Sequence, residues 1–247
     1  MREVPRVVIE REFDRIVTES GGELVRDIVG KSPSFENADY VFHRHRLVAE
    51  LKCLEENKAD DIQTQKKFRR LWIAWRQRKL VSGAVPRSYN SRDLPAICQP
   101  EFLAVMGKPI RRRVQKANKQ VRETKFALGL PEYKGVLFIV NDGNFMFPPA
   151  ATIHAVQLAL QRDFREIRHF VFFTANMYAA VKGVAQPVLC WISFDMDNNK
   201  TEPAEALYDE LRARWVRRHV DVTGIPAVES ELTDEQMEGF WFANYIP

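Results

Sequence analysis

Two carboxylates and one ammonium group lie close together within an otherwise apolar stretch near the N-terminus. Asp39 borders one apolar run, and Glu50-Leu51-Lys52 stands in a second run that follows the charged tetrapeptide 43–46. Carboxylates are ligands that Mg²⁺ and Mn²⁺ prefer, and an ammonium group can stabilise charge that develops on a phosphate. These residue types therefore suit the metal-assisted hydrolysis of a phosphodiester bond.

Such a site requires a β-hairpin, and the sequence predicts one. Two apolar runs, 38–42 and 47–54, flank the tetrapeptide, and a turn there would place Asp39 opposite Glu50. Side chains alternate along a strand, so these two residues and Lys52 share one face. Like charges that oppose each other across a hairpin are destabilising. The pair therefore needs positive charge nearby. Lys52 supplies one positive charge, and a divalent metal would supply the rest.

Asp39 followed by Glu50-x-Lys52 resembles the signature of the PD-(D/E)XK nuclease superfamily, with Ala38 in the place of the proline that names it. The resemblance implies a restriction-endonuclease-like fold in which Asp39 and Glu50 bind Mg²⁺ or Mn²⁺ and the Leu51 carbonyl is a further ligand. It also implies that Lys52 orients or activates the attacking water. The motif itself covers only this short stretch, and the order of the later elements fits the superfamily loosely.

The resemblance points to two further positions. Many members place a polar residue on the helix after the Glu-x-Lys strand, and Gln120 is the candidate for that catalytic role, on one helix face with Lys116. Many also take a metal ligand from their first helix. Glu23 is favoured over Glu12 for this ligand, because its predicted helix leads directly into the hairpin.

The alternative is a surface hairpin whose outer face carries the three charged side chains as a solvated cluster. Against this alternative, Val41, Val48 and Leu54 alternate with the charged residues on the same face, and apolar residues also fill the other face. Strands that are apolar on both faces are typical of a buried sheet. The active-site interpretation is therefore favoured.

The positive charge of the chain is concentrated in its middle. The net charge over 247 residues is +4, yet residues 60–130 contain 17 basic and 5 acidic residues, a net +12. Such asymmetry is typical of a protein that binds a polyanion. The alternative is the solvated face of an amphipathic helix. We favour contact with the phosphates of nucleic acid, DNA above RNA, through Arg111, Arg112, Arg113, Lys116, Lys119 and Arg122.

The elements around the hairpin indicate an α/β fold. Apolar periodicity predicts helices over 8–30 (broken or kinked at Gly21-Gly22), 60–80, 110–128, 150–162 and 202–220, and strands over 135–140, 167–174 and 187–194. Residues 81–109, with four prolines, predict a long loop. We therefore expect one domain over residues 1–247, with a mixed central sheet that contains the antiparallel hairpin, flanking helices, and a basic helical segment at 60–130.

Other features narrow the class of function. No apolar run approaches the roughly 18 residues of a membrane span, and three scattered cysteines in or near apolar runs are typical of reduced thiols in a cytoplasmic protein. No Gly-rich phosphate loop, Gly-x-Ser-x-Gly elbow or paired CxxC motif occurs. The sequence thus predicts a divalent-metal-dependent nuclease, with a homodimer as a possible assembly. The alternative is a catalytically inactive module on the same fold that binds nucleic acid or protein.

Overall fold

The hairpin lies inside a six-stranded mixed sheet. The computed structural model describes residues 5–30, 33–54, 62–86, 94–144, 149–196, 202–227, 232–241 and 243–246. The strands are β1 Glu23–Leu24, β2 Tyr40–Phe42, β3 Leu47–Leu54, β4 Lys134–Asn141, β5 Ile167–Thr174, β6 Tyr178–Ala180, β7 Trp191–Asp195 and β8 Asn244–Ile246. The order in the main sheet is β1-β2-β3-β4-β5-β7, and β6 pairs with β8 separately.

The main sheet is antiparallel at both edges and parallel at its centre. β1, β2 and β3 form an antiparallel meander, β3, β4 and β5 are parallel, and β7 runs antiparallel to β5. The central strand β4 is buried from Gly135 to Asn141, as expected for a parallel strand covered on both faces. The predicted mixed sheet with an antiparallel hairpin is confirmed.

Helices cover both faces of this sheet. They are α1 Ile9–Glu19, α2 Val25–Val29, α3 Ile62–Gln77, α4 Gln99–Met106, α5 Lys108–Ala127, α6 Pro149–Arg162, α7 Glu202–Thr223 and α8 Asp234–Trp241. α5 and α6 pack on one face, here called the α5 face, and α1 and α7 pack on the other. None of the described helices combines the length and the apolar character that a membrane span needs.

The predicted helix over 8–30 is wrong between its two helical parts. α1 ends at Glu19, residues 23–24 form the edge strand β1, and α2 covers Val25–Val29. Gly21 adopts a left-handed conformation with φ of +75°, and a Cβ at Gly22 would lie 2.6 Å from the ring of Phe42. The two glycines therefore turn the chain back against β2 and do not merely kink a helix.

The predicted loop over 81–109 is wrong in part, because it contains α4. Pro100 occupies the first turn of α4, where proline is tolerated. Phe102 and Cys98 anchor α4 against aromatic residues of α3, a tertiary contact that short-range periodicity does not reveal. Residues 87–93 of that stretch lie outside the described residues. Residues 60–61, at the start of the helix predicted over 60–80, also lie outside them.

The C-terminal residues pack back onto the domain. Phe240 on α8 is buried in the core of the α5 face, and β8 pairs with β6. Phe242, which belongs to the same apolar tail, lies outside the described residues.

Candidate active site

The hairpin has the predicted register. The cross-strand pairs are Phe42 with Leu47, Val41 with Val48, and Tyr40 with Ala49. Continuing this register by one residue places Asp39 opposite Glu50. The face that carries Glu50 lies in the core under α5, and the other face lies in the core under α1 and α7. The alternative of a solvated surface hairpin is therefore wrong.

The carboxyl groups of Asp39 and Glu50 are close neighbours in a buried setting. Glu50 is 1 % exposed. Asp39 Oδ2 accepts a hydrogen bond from the backbone N–H of Leu51 at 2.8 Å. The N–H and C=O of one strand residue point to the same side, so the Leu51 carbonyl is directed toward the side on which Asp39 lies. Its role as a metal ligand stays a prediction.

Helix α5 holds Lys52 beside the two carboxyls. Lys52 Nζ donates to Oε1 of Glu50, and it also donates to Oε1 of Gln120 at 2.9 Å. Gln120 in turn donates through Nε2 to the carbonyl of Asn37 at 2.8 Å. The structure therefore brings Gln120 into contact with Lys52. The sequence could not predict the hydrogen bond from Gln120 to Asn37, because its acceptor is a backbone oxygen.

A close approach of α5 to the sheet sets this contact. A Cβ at Gly135, at the start of β4, would lie 2.8 Å from Val121 of α5 and would collide with the Glu166 carbonyl oxygen. One turn after Gln120, Thr124 Oγ1 accepts a hydrogen bond from the N–H of Ala38 at 2.7 Å. These features fix the height of α5 above the sheet.

Burial controls the protonation of the pair. Removal from water and then the negative charge of Asp39 raise the pKa of Glu50 to about 8, although Lys52 acts in the opposite direction. Burial also raises the pKa of Asp39, opposed by the Leu51 N–H and the charge of Lys52. Without a metal at neutral pH, Glu50 therefore holds a proton.

The donor set of the pair fits Mg²⁺ or Mn²⁺. Across the described ranges, no group of three or more His, Cys, Asp or Glu side chains could hold a metal ion. Glu50 Oε2, however, is buried and has no hydrogen-bond partner there, and a buried polar atom without a partner calls for an explanation such as an ion. Mg²⁺ is commonly bound through one or two carboxylates and keeps several waters.

Among the described residues, no third acid joins the pair. Glu23 lies on β1, so its predicted place on a helix is wrong. Its side chain is 57 % exposed, and its Oε1 lies 3.8 Å from Nε2 of His43. The buried carboxylate of Glu12 pairs with Arg11 at 2.8 Å, and α1 packs on the face opposite α5. Neither glutamate joins Asp39 and Glu50.

The six basic residues of α5 that were predicted to contact phosphates fall into two groups. Arg111 pairs with Asp163 at 2.7 Å, and Lys119 lies 3.5 Å from Glu36 and 3.8 Å from Glu123. The other group has no ion-pair partner among the described residues; it comprises Arg112, Arg113, Lys116 and Arg122. The second group is therefore available to an anionic partner.

Two of these unpaired cations share a helix face with Gln120. Lys116 and Arg113 precede Gln120 by four and seven positions, which is the spacing of one face of a helix. The C-terminal end of α5 leads into the start of β4, and β4 is parallel to β3. Lys116 and Arg113 therefore lie toward the C-terminal end of β3, beyond Lys52.

Comparisons with known proteins do not place the chain in a family. No protein-family model matches it, and no curated protein or solved structure matches it either. Membership of the PD-(D/E)XK superfamily therefore stays a prediction from the hairpin residues.

Proposed function

We propose that this protein is a Mg²⁺- or Mn²⁺-dependent nuclease of the PD-(D/E)XK type that hydrolyses phosphodiester bonds, with DNA as the favoured substrate. One observation carries the proposal: the buried carboxyl of Glu50 and the half-buried carboxyl of Asp39 face each other beside a lysine that α5 holds in place. Burial of such a pair costs free energy. Binding of a cation by the two carboxylates would offset this cost.

The residues of the chain would divide the chemistry as follows. A bound divalent cation supplies a coordinated water of lowered pKa and stabilises charge on the phosphate. Asp39 and Glu50 hold the cation as carboxylates, so Glu50 gives up its proton on loading. Lys52 lies beside this pair. Its ammonium group, still held by Gln120, orients the water or stabilises the developing negative charge.

The basic face of α5 would hold the substrate next to these groups. Arg113 and Lys116 continue the line of Gln120 and have no ion-pair partner among the described residues. Guanidinium and ammonium groups bind backbone phosphates without reading sequence. We therefore expect these two residues to position a strand at the carboxylate pair.

Cleavage assays on DNA and RNA, with Mg²⁺, Mn²⁺ or EDTA, test the proposal. Asp39→Asn and Glu50→Gln should each reduce the metal-dependent rate by about 10²-fold or more, as for loss of a main electrostatic group. Glu205→Gln is the matched control, because Glu205 is an exposed acid on α7, away from the pair. Wild-type rates in both pair variants would exclude the site.

A nucleic-acid-binding module without catalysis is the second candidate, and one observation favours it. Lys52 contacts Glu50 directly, so a positive charge already stands beside the carboxyl pair without a metal. A module of this kind gains nothing from Mn²⁺. A nuclease should be stabilised by Mn²⁺ through mass action, and Glu50→Gln should remove that gain in melting temperature.

A further inference from the structure

Helix α3 carries a second concentration of positive charge, distinct from the one on α5. Its 16 residues include no acidic residue. Its exposed basic residues have no ion-pair partner among the described residues; they are Lys66, Lys67, Arg69, Arg70 and Arg76. The outer face of α3 is defined here by these five residues.

The inner face of α3 fixes the direction of this outer face. Phe68, Trp72 and Trp75 pack in a cluster of their own with Phe102 of α4, as the sequence predicts for the two tryptophans. Trp75 Nε1 also donates to Glu101 of α4 at 3.0 Å. A helix held by a packed face and a hydrogen bond presents its opposite side in a defined direction. The basic residues are therefore displayed on a supported surface.

A solvated helix face is the simpler explanation, and α7 shows what such a face looks like. α7 mixes acidic and basic residues, and its Arg214 pairs with Glu19 and Glu210 at 3.1 and 2.9 Å. On α3, by contrast, Lys66 and Arg70 are four positions apart, and like charges at this spacing are destabilising. An anionic partner would relieve this repulsion.

An exposed aliphatic residue lies among these cations. Ile73 is 44 % exposed. Arg69 and Arg70 precede it by four and three positions, and Arg76 follows it by three, so all three flank it on the helix surface. Nucleic acid offers both charged phosphates and apolar sugar and base edges. This combination favours nucleic acid over a purely acidic peptide.

The position of α3 connects its outer face to the candidate active site. α3 begins at Ile62, eight residues after β3 ends at Leu54. It packs on α4, and α4 contacts α5 and ends at Met106, just before α5 begins at Lys108. A nucleic-acid strand that leaves the carboxylate pair along Lys116 and Arg113 therefore runs toward the N-terminal end of α5. α4 lies at that end, and α3 packs on α4.

We propose that the outer face of α3 is a second phosphate-binding surface, which holds the nucleic acid beyond the segment bound at Asp39 and Glu50. The nature of the polyanion rests on the proposed function, but the surface requires binding only and no cleavage. It follows that substrate length matters. A short oligonucleotide can occupy the pair and α5 alone, whereas a longer one also reaches α3.

Fluorescence anisotropy in EDTA, on DNA of about 6 and about 30 nucleotides, tests this surface. Arg69→Gln with Arg70→Gln should weaken binding of the long DNA about tenfold or more and lower its log–log salt slope by roughly 1.4–1.8, for two lost phosphate contacts. Binding of the short DNA should not change. Lys66→Gln with Arg76→Gln should repeat the result from other residues of the same face.

The matched control is Lys182→Gln with Arg217→Gln, since both residues are exposed and neither has an ion-pair partner in the described part of the chain. Equal losses in the control and the α3 variants would overturn the proposal, as would unchanged affinity of the α3 variants for long DNA. Binding of polyglutamate but not DNA would also overturn it, in favour of an acidic protein partner. Loss of long-DNA binding in a protein that never cleaves with Mn²⁺ would uphold this surface and refute the nuclease.

Discussion

Glu50 is a carboxyl group enclosed by protein and opposed by a second carboxyl, so its charge depends on pH in an unusual range. Its pKa of about 8 in the folded protein lies above the value of 4.5 for an ordinary glutamate. Between these two values the unfolded chain has already lost the proton that the folded protein keeps. The metal-free fold is therefore penalised progressively as pH rises from about 4.5 to about 8, and fully above that range.

Glu50→Gln should remove this penalty, because glutamine has nearly the same shape and no charge. In EDTA we expect the variant to melt at the wild-type temperature near pH 4.5 and above it at pH 8–9, by roughly 2–4 °C for each kcal/mol of relieved cost. Thermal denaturation across this pH range checks the prediction. A shift of equal size at every pH, or the same shift in Glu205→Gln, would contradict it.

Binding of Mn²⁺ should release the proton that Glu50 holds in the metal-free protein. Since Glu50 must ionise to bind Mn²⁺, affinity should rise with pH, about tenfold per unit, up to about pH 8 and then level off. Isothermal titration calorimetry in two buffers with different ionisation enthalpies measures both the affinity and the proton released. Binding that is independent of pH between 6 and 8 would place the metal elsewhere.

Substitutions of Lys52 and Gln120 should impair the chemical step while they leave binding of the metal intact. Lys52→Ala should lose about 10²–10³-fold in cleavage while it retains stabilisation by Mn²⁺. Gln120→Leu should lose less, about 10–100-fold, because it acts by positioning Lys52. Single-turnover cleavage together with melting temperature with and without Mn²⁺ measures both effects. Wild-type turnover in Lys52→Ala would remove the lysine from the mechanism.

At the scale of secondary-structure elements, the distance between α5 and β4 determines whether Gln120 reaches Lys52. Gly135→Ala adds a methyl group where the Glu166 carbonyl and Val121 leave no room. We expect a loss of about 1–3 kcal/mol in the free energy of unfolding and reduced cleavage, since α5 must move. Denaturant unfolding and a cleavage assay measure these two effects.

Gly239→Ala is the control for that substitution. Gly239 lies inside α8, and a Cβ there would make only ordinary contacts at 3.5 Å. Alanine favours a helix over glycine by up to about 1 kcal/mol. This variant should therefore be at least as stable as the wild type. Equal destabilisation by both substitutions would show that the close approach at Gly135 is not the cause.

The hairpin was the most predictable part of the fold and of the site. Alternation of apolar residues and a short turn leave one register that buries both faces, and a slip by one residue would turn Glu50 to the other side. The shared helix face of Gln120 and Lys116 also followed from helical spacing. Its bond to Lys52 did not, because that bond depends on how closely α5 approaches the sheet.

Two elements were not predictable for identifiable reasons. α4 has two turns and is stabilised by contacts with α3 that lie far away in sequence. β1 has two residues and depends on the conformation of Gly21 and the lack of a side chain at Gly22. Because β1 was not predicted, the predicted place of Glu23 on a helix was wrong as well.

At the scale of the whole molecule, the charges are segregated. The basic helices α3 and α5 belong to the side of the sheet that carries the carboxylate pair, while α7, with mixed charges, packs on the opposite face. An uneven field of this kind steers an approaching polyanion toward one side. Ionic strength should therefore control affinity more than DNA sequence does.

Arg112→Glu with Lys116→Glu should weaken nucleic-acid binding strongly, because both residues are exposed and neither has an ion-pair partner among the described residues. Affinity should fall with salt, and each lost contact should reduce the log–log slope by about 0.7–0.9. Salt titrations on two unrelated oligonucleotides should give similar losses. Strong dependence on sequence would argue against phosphate contacts.

The control for that pair must leave existing ion pairs intact. Arg214 bridges Glu19 and Glu210, so its reversal would disturb the packing of α7 against α1. Lys182→Glu with Arg217→Glu changes the net charge equally without breaking an ion pair among the described residues. If this control loses as much affinity as the α5 variant, net charge alone governs binding.

The hairpin also has a consequence for the order of folding. Its two strands are joined by residues 43–46, whereas the contact between Lys52 and Gln120 spans 68 positions. Short loops close at lower entropic cost, and hairpins form within about 1–10 μs. The two carboxyls therefore meet while water still surrounds them, and α5 dehydrates them later. Above pH 8 we expect this docking of α5 to slow folding, because it must dehydrate two charged carboxylates, and Mn²⁺ in the refolding buffer should accelerate it.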